Sequence, residues 1–179
     1  MTDTLRALWE LTEIQLGEGS PEWNGCFDPI GLILHGKLES WEYWCTPRNS
    51  ITFASTGGDG VHYGILDIGA GFSDASPVVM TVPMCDTPNT IVGESLLDFL
   101  ALGCRQGYFT LEQLIYQRDL QLAALDSQDF DPDATEEERG MLESISLRFD
   151  ISPWSDHASK LEQLRRRFLH HVDAKTEPD

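Results

Sequence analysis

Apolar residues recur at every second position through the middle of the chain. Ile51 and Phe53 alternate with Thr52 and Ala54, and Val61, Tyr63 and Ile65 take up the same period after Ser55-Thr56-Gly57-Gly58-Asp59-Gly60. Two alternating runs joined by a Gly- and Asp-rich segment predict a β-hairpin. Trp41, Tyr43 and Cys45 alternate with Glu42 and Trp44, which predicts a further strand with aromatic residues on both faces. Gly69 to Ser76 reads as a turn, Pro77 to Met84 as a strand, and Pro88-Asn89 leads into a short strand at Thr90-Ile91-Val92. The connections are too short for crossover helices, so the sheet is expected to be mainly antiparallel.

From Gly93 the period changes. Leu96, Leu97, Phe99, Leu100 and Leu102 follow Glu94-Ser95 and stop at Gly103. Thr110 with Gln113 has capping-box spacing and is expected to open a helix whose inner face carries Leu111, Leu114, Ile115, Leu122 and Leu125. The segment from Asp126 to Pro132 breaks it. Thr135 with Glu138 repeats the capping spacing for a helix reaching about Phe149. Ser152-Pro153 is expected to start the last helix, with Ala158, Leu161, Leu164, Phe168 and Val172 on one side. At the other end of the chain, Leu5, Leu8, Trp9, Thr12 and Leu16 share a face of a helix over 3–16, with Asp3 or Thr4 as cap and Gly17 as stop. Residues 17–29 read as a loop, and Ile30 to Leu38 as either a helical turn or a strand.

Strands first and helices after define an α+β class: a single twisted, mainly antiparallel sheet flanked by helices. The boundaries are an α+β domain at 1–125 and a C-terminal helical extension at 126–179 on the same core. A chain of 179 residues is long enough for one full core. The stretch from Asp126 to Glu143 is acidic apart from Arg139, while Lys160 to His171 holds Lys160, Arg165, Arg166 and Arg167 against Glu162, so the two segments are candidates to pair helix to helix.

The charge changes the picture of function. Thirty acidic residues against twelve Lys and Arg give a formal net charge of −18. Direct binding to a phosphate backbone, which rests on Lys and Arg releasing counterions, is not expected. The same field speeds encounter with a basic partner. No apolar run approaches the ~18 residues of a membrane span, and the N-terminus lacks the basic-then-apolar layout of a signal peptide, so a cytoplasmic location with no membrane association is expected. Cys26, Cys45, Cys85 and Cys104 are scattered without metal-ligand spacing and read as reduced thiols packed as small hydrophobes.

No cofactor or metal motif stands out. Gly57-Gly58-Asp59-Gly60 lacks the Lys and Ser or Thr of a phosphate loop, and the glycines suit hairpin dihedrals. Asp59 and His62 form a possible acid/base pair but have no nucleophile at a definable spacing. His157, His170 and His171 are read on the last helix, where adjacent residues point in different directions and cannot share a metal. Trp41, Tyr43 and Trp44 leave one strand face to be covered by the C-terminal helices or by a partner.

The run I-T-F-A-S-T-G-G-D-G-V-H-Y-G-I-L, followed by P-V-V-M-T-V-P and G-E-S-L-L-D-F-L-A-L, resembles the SUKH superfamily over residues 41 to 102. The leading helix and the aromatic segment near Trp41 fit the same order. The chain departs by some seventy further residues of helical pattern after the shared part. The resemblance implies an α+β domain with one twisted antiparallel sheet flanked by helices. Its members include bacterial immunity proteins that neutralise a cognate toxin and regulatory interaction modules, and they share no catalytic residues. The expectation is therefore a non-catalytic intracellular protein-binding module, an immunity protein whose protein partner is a basic toxin domain. Its candidate contact residues are Trp41, Tyr43, Trp44, Asp59, Asp129, Asp131 and Asp133. The alternatives are a small hydrolase or transferase using His62 and Asp59, and a regulatory interaction hub.

Overall fold

A computed structural model describes residues 2–17, 19 and 22–175, apart from the side chain of Trp23. Positions 18, 20 and 21 of the expected loop, and 176–179 of the expected helical extension, lie outside the described residues.

Helix α1 spans Asp3–Leu16 and buries Leu5, Leu8, Leu11 and Thr12. Its cap is Thr2, one residue earlier than expected, whose hydroxyl accepts from the Leu5 N–H at 3.2 Å. Asp74 supplies a second cap from far along the chain, accepting from the Asp3 and Thr4 N–H groups at 3.0 and 2.8 Å. Two carboxylate bonds at the positive end of the helix dipole suit the geometry. Leu16, expected to face inward, is exposed. Short 3-10 turns at Trp23–Gly25 and Asp28–Ile30 occupy part of the segment read as loop.

The ambiguous stretch is a strand, β1 (Ile33–Glu39). It is followed by β2 (Ser50–Ser55), β3 (His62–Leu66), β4 (Val78–Thr81) and β5 (Asn89–Gly93). Among the described residues these make one sheet in the order β1-β2-β3-β4-β5, antiparallel throughout. The protein is thus α+β, with the predicted hairpin at its centre. The expected strand at Trp41–Cys45 is absent: residues 41–47 form an irregular segment between β1 and β2. Pairing of β1 with β2 ends at Glu39↔Thr52.

The C-terminal side follows the change of period with three corrections. Helix α2 (Leu96–Gly103) is capped by Ser95 and buried on nearly every side, against β5 and α1. The single helix expected from Thr110 is instead a 3-10 turn at Phe109–Glu112, a short α3 (Gln113–Tyr116) and α4 (Arg118–Asp126), broken at Gln117. The Thr110 hydroxyl is no cap, since it accepts from the buried Gln121 side chain at 3.2 Å. Helix α5 (Glu136–Phe149) carries the predicted capping box: the Thr135 hydroxyl accepts from the Glu138 N–H and the Glu138 carboxylate from the Thr135 N–H. Helix α6 (His157–Phe168) starts later than Ser152-Pro153, at an Asp156 cap, and buries His157 rather than Ala158 alongside Leu161, Leu164 and Phe168.

The proposed pairing of acidic and basic segments is not how α6 spends its charge. Lys160 binds Asp98, Arg167 binds Glu94, and Arg165 and Arg166 bind Glu162 on the same helix. Asp126, at the start of the acidic segment, instead pairs with His157, which precedes the basic one.

The core lies between one sheet face and the helices. Phe99 of α2 packs on Phe53 and Tyr63 at ring distances of 5.7 and 4.8 Å and on Tyr108 at 5.1 Å. Tyr63 Oη donates to the Tyr108 carbonyl at 2.5 Å, so its buried hydroxyl is satisfied. Leu142 and Ile145 of α5 and Leu161, Leu164 and Phe168 of α6 belong to the same continuous buried cluster as Leu5 and Leu8 of α1. Each fully buried side chain of this size contributes about 1.5–3 kcal/mol relative to exposure.

Candidate functional site

The sheet face turned away from the helices carries a row of polar residues in register. Ser55 pairs with His62, His62 with Thr81, and Thr81 with Asn89. Side-chain bonds extend the row at both ends: His35 Nε2 meets Ser55 Oγ at 3.1 Å, and Thr81 donates to Asn89 Oδ1 at 2.8 Å. Segment 41–47 lies over this row. Asn89 Nδ2 donates to the Cys45 carbonyl at 3.0 Å, and Thr46 Oγ1 lies 3.0 Å from His62 Nε2. The Trp41 ring packs on His35 at 4.8 Å and on His62 at 5.0 Å, and Tyr43 stacks on His62 at 5.6 Å. Trp41 and Tyr43, read as part of a strand, therefore roof the sheet. Trp44 is half-buried beside this roof.

His62 is only 1% exposed and both ring nitrogens are engaged. Nδ1 lies 2.7 Å from the Gly60 carbonyl, which can only accept, so Nδ1 carries the proton and Nε2 accepts from Thr46. Burial brings its pKa down to about 4, with the Gly60 carbonyl acting the other way and His35 adding to the fall. The ring is neutral and inward-facing near neutral pH. Its partners are Gly60 and Thr46 rather than Asp59, so the suggested Asp59–His62 acid/base pair is not assembled.

Asp59 stands at the tip of the β2–β3 hairpin. The turn closes through the Thr56 N–H to the Val61 carbonyl and the Val61 N–H to the Gly58 carbonyl. Asp59 and Gly60 both adopt positive φ, 48° and 72°. On one side of the tip, Gly60 lies against the Tyr43 ring. On the other, a Cβ on Gly58 would lie 3.8 Å from the Phe109 ring. Tyr43 and Phe109 are 42% and 54% exposed, so two aromatic rings flank an exposed carboxylate. Glu112 is the second acid here, its carboxyl pushed up by burial and by the charge of Asp59.

Phe109 continues the surface into a groove of about 240 Å³ walled by Asp131 and Asp133 from the α4–α5 connection and floored by Ile30 and Leu142. Arg105 stacks on Phe130 of that connection at 4.8 Å, and Gln106 donates to the Asp129 carbonyl at 2.7 Å, which holds the loop in place. Of the residues singled out from the sequence, Tyr43, Asp59, Asp131 and Asp133 fall along this path. Asp129 is exposed on the same loop. Trp41 is turned inward onto the histidines. Phe109 and Glu112 join the site without a signal in the pattern beyond an exposed aromatic in G-Y-F-T.

Other chemistry is dispersed. Cys26, Cys45 and Cys104 are buried free thiols, each pushed up by burial. Among the described residues no three His, Cys, Asp or Glu side chains are grouped to hold a metal ion. His170 and His171 sit in a 3-10 turn after α6 with ring centroids 4.1 Å apart, which corrects the reading that they diverge on a helix. Among the described residues no helix is long and apolar enough to cross a membrane. No protein-family model matches the chain, and no curated protein matches it.

Proposed function

We propose that the protein is a non-catalytic binding module of the immunity type, and that it engages a basic protein partner, a toxin domain, through the acidic and aromatic end of its sheet. The observation that carries the reading is the convergence of Tyr43, Asp59 and Phe109 at the hairpin tip, continuous with the groove of Asp131 and Asp133. Exposed aromatics amid carboxylates combine anchor residues with a field that steers a cationic surface. The net charge of −18 works in the same direction. The resemblance of residues 41 to 102 to the SUKH superfamily supports the immunity assignment and implies a cytoplasmic setting. On the division expected from the sequence, 1–125 with a helical extension, the proposed contact surface would draw on both segments.

The test is co-expression with basic polypeptides encoded beside its gene. Protection from a toxic neighbour, with a complex that weakens as salt is raised, is the expected result. Tyr43→Ala, Phe109→Ala and Asp59→Lys should each weaken the complex at least tenfold while melting close to the parent. Protection that survives all three substitutions, or no complex with any neighbour, ends the reading. A complex formed instead with housekeeping proteins would favour a regulatory hub.

A further inference from the structure

Among the described residues the Arg118 side chain stands without a partner. Among the described residues the other eight arginines each make an ion pair or a side-chain hydrogen bond, whereas Arg118 makes no hydrogen bond, ion pair or ring contact. In a chain with thirty carboxylates and twelve Lys and Arg, a guanidinium left alone is unusual. Its position makes this stranger, because Arg118 opens α4, the helix end where a cation is disfavoured.

Arg118 lines a groove of about 290 Å³ between β5 and helices α3, α4 and α6, and Arg165 of α6 lines it too. The side chains of Thr87 and Thr90 add hydroxyl donors, and Ile91, Leu114 and Leu161 contribute apolar floor. No carboxylate lines this groove. The grooves beside Trp154, Cys26 and Phe109 all carry acidic side chains. The lining of this groove is therefore positive, with the Glu162 partner of Arg165 outside it.

We infer that this groove binds a small aliphatic monocarboxylate, its head on Arg118 and Arg165 and its tail on the apolar floor. Guanidinium forks match a carboxylate in shape and charge. Glu162 lies closer to Arg166, at 2.8 Å, than to Arg165, at 3.6 Å, so Arg165 keeps donors free and can join Arg118 in clamping a single carboxylate head. The aliphatic floor selects a ligand with a hydrocarbon body over a bare inorganic anion, and the volume, at the lower end of ligand cavities near ~300 Å³, limits it to a short or medium chain. This inference does not rest on the partner reading above.

The experiment is a titration with octanoate, followed by the amide NMR shifts of Thr87, Thr90 and Ile91, with octan-1-ol and inorganic phosphate titrated separately. Saturable octanoate binding is expected, with each of the other two at least tenfold weaker. Arg118→Gln and Arg165→Gln should each weaken octanoate by about tenfold or more, the loss of one charged hydrogen bond. Arg148→Gln, whose partner is Glu10 on another surface, should leave it unchanged. Arg118 is exposed, so its variant is expected to fold, and its melting curve checks this. Absence of a saturable shift overturns the inference. So does octan-1-ol or phosphate binding as tightly as octanoate, or an Arg118→Gln protein that binds like the parent.

Discussion

The ring of Tyr43 rests so close to Gly60 that a Cβ on that glycine would sit 2.7 Å from the ring's Cζ and Oη. The glycine is thus required twice, for its φ of +72° and for the space it leaves. Gly60→Ala should cost about 1–2 kcal/mol from the left-handed backbone alone. The ring end of Tyr43 can swing outward, so the protein should stay folded. Chemical denaturation gives the stability change, and the loss of Tyr43 from the surface should appear as weakened partner binding in the same variant. A variant that binds normally would show that Tyr43 placement is not used.

A second expectation comes from His62, whose pKa is brought down to about 4 in the folded protein. In the unfolded chain a histidine titrates near 6.5. Between these values the unfolded state takes up a proton that the native ring refuses, so stability falls as the pH drops from about 6.5 towards 4 and this contribution levels off below. The full span is about 3 kcal/mol. Glu112, pushed up by burial and Asp59, acts in the opposite sense just above the ordinary glutamate range and so inside the same window, and the His62 share is isolated by comparison with His62→Gln. The parent should lose more stability than the variant across that window. The His62 ring resonance should not move above pH 5.

Two Thr residues at the same capping spacing give a third contrast. Thr135 caps α5 with both reciprocal bonds to Glu138. Thr110 caps nothing and receives the buried Gln121 side chain. Thr135→Ala should destabilise by about 1 kcal/mol and fray the start of α5. Thr110→Ala should also cost stability, through an unpaired buried amide at Gln121, without change in amide exchange at Gln113. Protection factors at Glu138 and Gln113 separate the two mechanisms.

The same pair shows how far the sequence could be read. The spacing Thr-x-x-Glu at Thr135 and the alternation across Ile51 to Ile65 are local codes, and the local backbone obeys both. Thr110 failed because its hydroxyl was claimed by Gln121, eleven residues on, a competition that spacing cannot express. Helix α3 ends at Gln117 with φ −140°, in a stretch with neither Gly nor Pro to announce a break. Trp41 to Cys45 alternates as a strand would. The alternation is not followed by burial either: Cys45 is buried and Trp41 half-buried, but Tyr43 between them is exposed, as Glu42 is. At the site, Asp59 is legible as a turn acid and Tyr43 as one of three aromatics on a predicted strand with a face left to cover. Phe109 is not, since its meeting with Gly58 depends on where the chain returns fifty residues later.

The last prediction concerns the contact of Asp126 with His157, which ties the end of α4 to the start of α6. Asp126 Oδ1 accepts from His157 Nδ1 at 2.6 Å and from the His157 N–H at 3.2 Å, fixing the first residue of α6 to the end of α4. His157 is fully buried, its ring stacks on Trp154 at 5.6 Å, and its Nε2 has no hydrogen-bond partner. A ring already lacking one bond is sensitive to losing the other. Asp126→Ala should therefore cost about 1–3 kcal/mol, the penalty of an unsatisfied buried donor. Asp126→Asn keeps an oxygen in the same place and should recover much of that cost. Fluorescence of Trp154 and amide exchange at His157 would report the loosening of the α4–α6 junction in the Ala variant. Equal stability of the Ala and Asn variants would show that the carboxylate's charge, rather than its acceptor oxygen, holds the helix.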